Sequence, residues 1–418
     1  MSQPSLPKWI SYLNGAKKLL ELTIPGTHDS GTYPIDLGPA KCQNLSLTEQ
    51  LNAGIRFLDI RLKPSGHDDD PDALMVWHGQ SATGLNFNDD VVGNCNAFLQ
   101  AYPQETIIMS IKNESATYPR SDVFYKKLNE VIAGWGMLFY TGTTLPLLSQ
   151  ARGRIILIRR FTPDNNPDIG INLYNDWPNG EKIHHWTNGN GVALYVQDEY
   201  TYFTIIENKF NDYVKPTLEA AAGTQYENYL FLNFASCTGR LWPDDIAEIV
   251  NAQLYPYING HNNNRYGIIP MDFPETETAL ISALVQCNYH DPLALSVVRN
   301  TSNGAVYLNF DSQLHHVPNP AIADHLFGNG WDFQGIPNLD FVMDPAAEGA
   351  PLLNGRILAF SGKPELYLCY EVAGDPKPVL RHIANPATAN AYGLYGTVDQ
   401  VPEATKDNYD ILTAIIWS

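Results

Sequence analysis

Short apolar runs alternate with amphipathic stretches along the chain up to about residue 275. Runs such as TIIMSIK and RIILIRRF are continuously apolar and rich in β-branched residues, which is typical of parallel strands that helices cover. Between them, SDVFYKKLNEVIAGW has the spacing of an amphipathic helix, with Ser121 as its cap. We therefore expect an α/β fold in which the strands close a (β/α) barrel. The eight candidate strands are LELTIPG, FLDIRL, LMVWHG, TIIMSIK, RIILIRRF, ALYVQDEY, YLFLNFAS and YGIIPMDF.

The pattern changes after Asp291-Pro292, where short strands such as AVYLNF, RILAFS and ELYLCYEV are separated by Gly, Pro and Asn turns. This spacing predicts a small all-β domain. We therefore divide the chain into a catalytic barrel, residues 1–290, and a β-rich accessory domain, residues 293–418. No internal repeat and no low-complexity tract is apparent in the sequence.

Length and charge limit the possible partners. A chain of 418 residues is too long for one ordinary core, which supports two domains. The 45 Asp and Glu against 26 Lys and Arg give a formal net charge of -19. Without a basic patch, so acidic a chain is not expected to bind nucleic acid or to hold anionic membranes by broad electrostatic attraction. No apolar run reaches the roughly 18 residues of a spanning helix, and MSQPSLPKWISYLNG contains no recognisable signal peptide.

The five cysteines have neither CxxC nor Cys/His metal spacing, so they give no sign of a metal site. We expect no cofactor. The cysteines are compatible with one disulfide and three free thiols, or with five buried reduced cysteines. His315 and His316 are adjacent and would point to opposite faces of a strand, which argues against a zinc site there.

Polar and charged residues lie where the predicted strands end, and in a barrel these strand ends meet on one face. Two histidines there can serve as general base and general acid for transfer at phosphorus, and an arginine can stabilise charge on phosphoryl oxygens. Taken singly, each residue has a structural explanation: a buried Asp59–Arg61 pair, a surface Lys112–Glu114 pair, or a core aromatic at Trp177. The strand-end set comprises His28, Asp29, Asp59, Arg61, His78, Lys112, Glu114, Arg159, Arg160, Asp198, Tyr200, Asn233, Ser236 and Asp272.

Seven segments carry a family resemblance: TIPGTHDSGTY, GIRFLDIRL, WHG, ETIIMSIKNE, GRIILIRRF, VQDEY and NFASCTG. In this order, over roughly residues 8–275, the chain resembles the bacterial phosphatidylinositol-specific phospholipases C. The 50-residue separation of His28 and His78 is also typical of that family. The resemblance implies a distorted TIM-type barrel that cleaves phosphatidylinositol. The inositol 2-hydroxyl would attack its own phosphate and release diacylglycerol, and the 1,2-cyclic phosphate would then be slowly hydrolysed.

The resemblance also implies a role for each matching residue. His28 corresponds to the general base that takes the 2-hydroxyl proton, and Asp272 to the carboxylate that orients it. His78 corresponds to the general acid that protonates the diacylglycerol oxygen, and Asp29 to the carboxylate that works with this acid and with the arginine. Arg61 stands where related eukaryotic enzymes hold calcium, which implies catalysis without metal. The implied substrate contacts are Asp59, in a supporting role, and Lys112, Arg160, Asp198 and Tyr200.

Two departures from the family pattern concern positioning and membrane binding. Trp77 stands where the family commonly has a second His before the acid. IDLGPAKCQNL, which corresponds to a membrane-inserting helix in some members, contains no Trp or Phe. Leu241 and Trp242 in CTGRLWPDD form an apolar tip, where we expect membrane contact. We expect a secreted or extracellular monomer that binds membrane phosphatidylinositol transiently, with weak dependence on anionic lipid.

Two other function classes remain open at this point. A calcium-dependent relative would need several oxygen ligands where Arg61 supplies a cation. A catalytically idle protein that binds inositol headgroups or glycans would need neither His28 nor His78.

The accessory domain contains aromatic residues that favour a lectin-like role, because a sugar ring can stack on an exposed aromatic face. The same residues are equally consistent with the core of a small β domain. They are Tyr307, Trp331, Phe333, Tyr367 and Tyr370.

Overall fold

The computed structural model describes residues 5–36, 38–67, 70–115, 121–163, 166–178, 182–201, 203–328, 335–383, 394 and 396–415. The chain forms two compact units. The barrel unit comprises residues 18–146 and 153–288, and the C-terminal unit comprises residues 1–17, 147–152 and 289–418. The C-terminal unit thus includes the beginning of the chain and a short segment from its middle. The assignment of a separate function to each domain stays a prediction.

The elements of the barrel unit follow the predicted alternation. Its strands are β1 (Thr23–Thr27), β2 (Phe57–His67), β3 (Asp70–His78), β4 (Ser81–Asn86), β5 (Ile107–Asn113), β6 (Phe139–Tyr140), β7 (Ile155–Arg160), β8 (Ile171–Asn172), β9 (His184–Thr187), β10 (Ala193–Gln197), β11 (Leu230–Asn233) and β12 (Gly267–Met271). The α-helices of both units are α1 (Leu47–Asn52), α2 (Gly93–Ala101), α3 (Ser121–Gly134), α4 (Leu148–Ala151), α5 (Glu207–Lys209), α6 (Lys215–Ala222), α7 (Pro243–Gly260), α8 (Leu280–Gln286) and α9 (Pro320–Phe327). Turns of π-helix, Phe87–Val92 and Phe210–Val214, precede α2 and α6.

Seven strands form the body of the barrel in the order β7, β5, β2, β1, β12, β11, β10, and each pairs in parallel with its neighbours. β1 lies near the centre, between β2 and β12. Ile155–Arg160 is buried over its whole length, as its continuous apolar pattern predicts for a strand covered on both faces. The predicted α/β barrel is confirmed.

One of the eight candidate strands does not belong to the parallel barrel. LMVWHG lies in β3, which pairs antiparallel with β2 and with β4. Leu74 and Val76 are buried, whereas Met75 and Trp77 are half-buried, so alternate residues lie on a covered and on a partly open face. This alternation is typical of an antiparallel hairpin and distinguishes β3 from the continuously buried parallel strands. The hairpin brings His78, at the end of β3, to the carboxylate of Asp29.

The C-terminal unit contains two five-stranded sheets, which confirms its β-rich character. Its strands are β13 (Val297–Asn300), β14 (Val306–Phe310), β15 (Gln313–Val317), β16 (Asn338–Leu339), β17 (Glu348–Gly349), β18 (Leu353–Phe360), β19 (Leu366–Glu371), β20 (Val379–Ile383), β21 (Val398–Val401) and β22 (Asp410–Ile415). The sheet orders are β16-β13-β14-β15-β17 and β21-β18-β19-β20-β22. Leu308 and Phe310 of the first sheet share one core with Leu368 and Tyr370 of the second.

These two sheets have the same topology, which reveals an internal repeat. In each, three successive strands form an antiparallel meander, the next strand pairs in parallel with the first of them, and the last with the third. Tyr307 lies opposite His316 in one sheet, as Tyr367 lies opposite His382 in the other. The ring centroids of these pairs are 5.5 and 5.3 Å apart, at nearly equal tilts. The expectation that the chain has no internal repeat is therefore wrong.

The repeat has a weak trace in the sequence. LHHVPNPAIA and LRHIANPATA share Leu, His, Asn-Pro-Ala and a final Ala at the same positions. Tyr367 follows Tyr307 by 60 residues, whereas His382 follows His316 by 66. The period changes within the repeat because the turn between β19 and β20 is longer than that between β14 and β15. A search for one fixed period misses it for that reason.

Three of the five aromatic residues singled out in this unit lie within the described residues, and all three are packed in its interior. Tyr307, Tyr367 and Tyr370 are each at most 9 % exposed, so their rings are not open faces for a sugar. Trp331 and Phe333 lie outside the described residues. The three buried tyrosines correct the expectation of exposed aromatics and match the alternative of a β core.

All five cysteines are buried and free, which matches the alternative of five buried reduced cysteines and not that of one disulfide. No helix among the described residues combines the length and apolar character that crossing a membrane requires.

Leu308→Ala and Leu368→Ala are equivalent changes in the two repeats, since both leucines are fully buried in the shared core. We expect each to lower the free energy of unfolding by about 2–5 kcal/mol, the usual cost of such a truncation. Both should shift the same transition in calorimetry of the full chain. Val342→Ala, at an exposed position, is the control and should leave that transition unchanged. Effects on two separate transitions would contradict a shared core.

Candidate active site

The carboxyl ends of the barrel strands surround a cavity of about 260 Å³. Asp29 and Asp59 are buried residues that do not line it. The structure thus brings together polar residues that are up to 244 positions apart in the sequence. The predicted site residues that line the cavity are His28, Arg61, His78, Lys112, Arg160, Asp198, Tyr200 and Asp272.

The carboxylate of Asp29 contacts three functional side chains. Its Oδ1 lies 2.8 Å from Nε of Arg61. Its Oδ2 lies 3.1 Å from Nε2 of His28 and 3.4 Å from Nε2 of His78. One buried carboxylate therefore faces both histidines and the guanidinium, whereas the resemblance implied a contact with His78 and Arg61 only.

The backbone of THDSGT bends at Asp29 itself, whose φ of 42° lies in the left-handed region that Asp tolerates better than most residues. The N–H of Thr32 donates to Asp29 O at 3.1 Å and closes the turn. The flanking glycines are needed for their small size. A Cβ at Gly31 would lie 2.7 Å from Cγ1 of Val76, and one at Gly26 would lie 2.9 Å from the Phe57 side chain.

His28 has hydrogen-bond partners suited to a base. Its Nδ1 lies 2.8 Å from Oδ1 of Asp272, which holds a proton on Nδ1. Its Nε2 lies 2.7 Å from Nη2 of Arg61, and because a guanidinium can donate but not accept, unprotonated Nε2 is the acceptor. Once protonated, Nε2 can donate to Oδ2 of Asp29. The site therefore accommodates Nε2 in both protonation states.

The carboxylates also set the basicity of His28. Burial lowers the pKa of His28, but the charges of Asp29 and Asp272 outweigh burial and the opposing charge of Arg61, and raise this pKa to about 8. His28 can thus hold a proton firmly enough to remove one from a hydroxyl group.

Backbone contacts fix the base and its carboxylate relative to each other. Nε2 of Gln43 donates to the carbonyl oxygens of His28 and Met271, at 2.7 and 2.9 Å, and so ties the end of β1 to the end of β12. Nδ2 of Asn251, on α7, donates to the carbonyl oxygen of Asp272 at 3.1 Å. These contacts maintain the hydrogen bond between His28 and Asp272.

His78 is oriented by the backbone. Its Nδ1 donates to the carbonyl oxygen of Ala40 at 2.9 Å, which leaves Nε2 facing Asp29. The sequence raised doubt about this orientation, because Trp77 replaces a second His of the family pattern. The carbonyl of Ala40 supplies it instead, and sequence alone gives no sign of a backbone acceptor. A proton on Nε2 would be available for donation into the cavity.

Asp59 holds two arginines rather than facing the cavity. Its Oδ1 accepts from Nη1 of Arg160 at 3.1 Å, and its Oδ2 lies 3.3 Å from Nη2 of Arg61. Burial raises the pKa of Asp59, but Arg61 and Arg160 outweigh burial and hold this pKa well below its usual range. Asp59 is fully buried, so it can act on a substrate only through these two arginines, and its supporting role stays a prediction.

Three of the other predicted contacts, Lys112, Arg160 and Asp198, have neighbours in the cavity wall that hold them in place. Nζ of Lys112 lies 2.7 Å from Oε2 of Glu114, and burial lowers the pKa of this lysine. The guanidinium of Arg160 stacks on Trp177, 3.5 Å from the ring centroid. Nε1 of Trp177 donates to Oδ2 of Asp198 at 2.7 Å. The remaining predicted contact, Tyr200, lies at the rim and is 42 % exposed.

The surroundings of Trp177 and Arg159 do not follow from the strand-end pattern alone. Trp177, for which a core or edge position is one structural explanation, contacts Arg160 and Asp198 although it lies between β8 and β9, away from any predicted strand end. Arg159 was placed among the strand-end cations, but it donates to the carbonyl oxygens of Phe161 and Ile169 and pairs with Asp168. Adjacent residues of a strand point to opposite faces, so this alternation already indicates that Arg159 and Arg160 cannot both face the cavity.

Several side chains at the centre could in principle bind a metal. His28, Cys42 and Asp272 lie close together, as do Asp29, Cys42 and His78. Arg61 lies within 2.8 Å of Asp29 and therefore already supplies positive charge to this cluster. The absence of a metal requirement stays a prediction.

An apolar rim adjoins the cavity. Leu241 and Trp242 are 42 % and 50 % exposed, as expected for the predicted membrane contact, and Ile205 nearby in a second loop is 58 % exposed. The two loops are joined because Phe203 N–H donates to Thr238 O at 2.9 Å. The rim therefore consists of two hydrogen-bonded loops rather than one.

Comparisons with known proteins agree with this geometry. Residues 30–161 match the family model described as phosphatidylinositol-specific phospholipase C, X domain. The 1-phosphatidylinositol phosphodiesterase of Listeria monocytogenes is 29 % identical over 292 residues, which cover 65 % of this chain and 82 % of that protein. A protein of the same name from Staphylococcus aureus strain Newman is 27 % identical over 287 residues, 63 % of this chain and 87 % of that one.

Solved structures that resemble this chain belong to phosphatidylinositol-specific phospholipases C as well. A phosphatidylinositol-specific phospholipase C of Staphylococcus aureus superposes with a TM-score of 0.60 at 26 % identity, over 68 % of this chain and 98 % of that one. The corresponding structure from Listeria monocytogenes has a TM-score of 0.55 at 27 % identity, over 68 % of this chain and 99 % of that one. The matches thus span nearly all of these relatives but about two thirds of this chain.

Asp272→Asn should lower the pKa of His28, because the variant removes one of the two charges that raise it. We expect the pKa, measured by NMR titration of the imidazole, to fall from about 8 by about one pH unit. Asp168→Asn, which removes a carboxylate that pairs with Arg159, is the control and should leave it unchanged. An unaltered His28 pKa in Asp272→Asn would contradict the electrostatic role of Asp272.

Proposed function

We infer from this kinship that the chain is a bacterial-type phosphatidylinositol-specific phospholipase C with an additional C-terminal domain, and we propose how its residues carry the reaction. The enzyme is a lyase that converts phosphatidylinositol into diacylglycerol and inositol 1,2-cyclic phosphate. The observation that supports the residue roles is the arrangement of His28, His78 and Arg61 around the carboxylate of Asp29.

His28 is the general base. Its Nε2 takes the proton of the inositol 2-hydroxyl while the hydroxyl oxygen forms a bond to phosphorus. The resulting imidazolium is stabilised by Asp272 at Nδ1 and by Asp29 near Nε2. The raised pKa of His28 favours this transfer.

His78 is the general acid. As the bond from phosphorus to the diacylglycerol oxygen breaks, Nε2 of His78 gives its proton to that oxygen. Ala40 O keeps the other ring nitrogen engaged, so the imidazole turns one defined edge towards the cavity. In the slower second step the roles reverse, and His78 can take a proton from the attacking water.

Arg61 stabilises the charge that develops on the phosphoryl oxygens. Its guanidinium is held in place by Asp29 and Asp59, so little reorganisation is needed during the reaction. Lys112, Arg160, Asp198 and Tyr200 hold the inositol ring, with cations and a carboxylate for the hydroxyl groups and an aromatic face for stacking.

Turnover with excess chelator is the test of metal independence. We expect phosphatidylinositol in detergent micelles to be cleaved at the same rate with and without EDTA, because Arg61 supplies the positive charge next to the carboxylates. Added calcium should not increase the rate. Loss of turnover with EDTA and its recovery with calcium would instead identify a calcium-dependent relative.

His28→Ala and His78→Ala should each lower kcat by about a hundredfold or more, the range for loss of a general base or acid. His261→Ala, at an exposed histidine at the end of α7, is the control and should retain wild-type turnover. The acidic segment SGHDDDPD contains His67, which is likewise expected to be dispensable and whose side chain lies outside the described residues. Near-normal turnover without His28 or His78 would rule out this mechanism, and a wild type that binds inositol without turnover would favour the idle binding protein.

The apolar rim is proposed to contact the membrane transiently. Replacing Leu241 and Trp242 together by Ser should lower activity on phosphatidylinositol vesicles by about tenfold or more, since two apolar side chains no longer enter the interface. Hydrolysis of soluble inositol cyclic phosphate should stay unchanged. Met137→Ser, at a residue 76 % exposed, is the matched control. An equal loss on both substrates would exclude a membrane role for the rim.

Other partner expectations have less support. Tyr307, Tyr367 and Tyr370 cannot stack on a glycan, because their rings are buried. The proposal of glycan binding by the C-terminal unit therefore rests on the sequence around Trp331 and Phe333 alone. A monomeric state and secretion rest on the family resemblance alone.

A further inference from the structure

The side chain of Lys209, in α5, is fully buried beneath the turn that carries Asp198 and Tyr200. Its Nζ donates to Oε1 of Gln197 at 2.8 Å and to the carbonyl oxygen of Glu199 at 2.7 Å. These two acceptors directly precede and follow Asp198 in the chain. Lys209 therefore contacts the side chain of the residue before Asp198 and the backbone of the residue after it, and Asp198 lines the cavity.

Gln197 extends this contact to the neighbouring strand. Its Oε1 also accepts from Glu199 N–H at 2.8 Å. Its Nε2 donates to Oδ1 of Asn233 and to Phe234 O, each at 2.8 Å. Lys209 is thus part of a buried network that joins the ends of β10 and β11 below the cavity.

The same turn is held from other directions by different groups. Trp177 donates to the carboxylate of Asp198, as described above. The N–H and Oγ1 of Thr238 donate to Tyr200 O at 3.2 and 2.9 Å. The side chain of Asp198 and the distal end of the turn thus have their own partners, and Lys209 anchors the backbone between them from beneath.

An ammonium group is a costly choice for such a position. Removing it from water carries a penalty of several kcal/mol, and burial lowers the pKa of Lys209 to about 8. An ammonium, however, offers three donors and no acceptor on a long stem. It can therefore satisfy a side-chain oxygen and a carbonyl oxygen at once, which an apolar side chain of similar volume cannot do.

We propose that Lys209 is a positioning residue for inositol recognition, which fixes the Gln197–Tyr200 turn so that Asp198 and Tyr200 meet the inositol ring. This inference rests on the proposed function, in which Asp198 and Tyr200 contact the ring. His28 and His78 lie at the ends of β1 and β3, and their hydrogen bonds described above go to Asp272, Arg61 and Ala40 rather than to this turn. Loss of Lys209 therefore weakens binding of the ring more than it slows the chemical step.

The test compares Lys209→Met with Lys215→Met in the full-length protein. Turnover of soluble inositol cyclic phosphate gives kcat and KM, and calorimetry gives the Kd for myo-inositol. Lys209→Met keeps the side-chain length but removes charge and donors, and we expect KM and the Kd for myo-inositol to rise about tenfold, with kcat changed less than about threefold. Lys215 lies six residues further along the same helical run and is 44 % exposed, so Lys215→Met makes the same charge change without effect.

A merely structural role would lower thermal stability or kcat and leave KM and Kd unchanged, and that result would overturn the proposal. If Lys209→Met does not fold, Lys209→Gln decides, because its shorter, uncharged amide reaches fewer acceptors and should also raise KM and Kd. Wild-type values of both in Lys209→Gln would contradict the proposal. If the wild type binds myo-inositol but turns over neither phosphatidylinositol nor inositol cyclic phosphate, the proposed function fails. The ratio of the Kd values for myo-inositol in Lys209→Met and wild type still decides the role of Lys209.

Discussion

The buried carboxylate of Asp29 is the constraint on which the rest of the site depends. A carboxylate removed from water must be compensated by donors and positive charge. Arg61 binds one of its oxygens, and the Nε2 atoms of His28 and His78 face the other. The left-handed backbone at Asp29 and the antiparallel hairpin that ends at His78 both serve to bring these groups together.

The remaining charges of the site are arranged in the same way. Asp59 lies behind Arg61 and Arg160, and Glu114 lies against Lys112, so the cations are held in place before a substrate arrives. Fixed donors of this kind can stabilise developing negative charge without reorganisation. This explains how a chain with a net charge of -19 can handle an anionic phosphodiester: its positive charge is local and positioned by buried carboxylates.

The sequence predicts those parts of the site that depend on neighbouring residues in the chain, and it does not predict those that depend on strand pairing or on the path of a loop. Strand ends are local features, so apolar runs that end in polar residues predict His28, Arg61 and Asp272 as site residues. The place of LMVWHG in a hairpin depends on strand pairing, and the role of Trp177 depends on a loop that returns to the cavity; neither has a local signal. Asp59 and Arg61 share one strand at alternate positions, which identifies the face but not the depth at which each side chain lies. The internal repeat has only a weak sequence signal because its two halves share few residues and differ in turn length.

The central claim is that the carboxylate of Asp29 aligns base, acid and guanidinium on one bound inositol ring. A crystal structure of the protein with myo-inositol tests it most directly. The account predicts the ring in the cavity between Tyr200 and Arg160, with its 2-hydroxyl about 3 Å from Nε2 of His28 and its 1-hydroxyl on the side of His78 and Arg61. A ring bound elsewhere, or with its 2-hydroxyl directed away from His28, would contradict it.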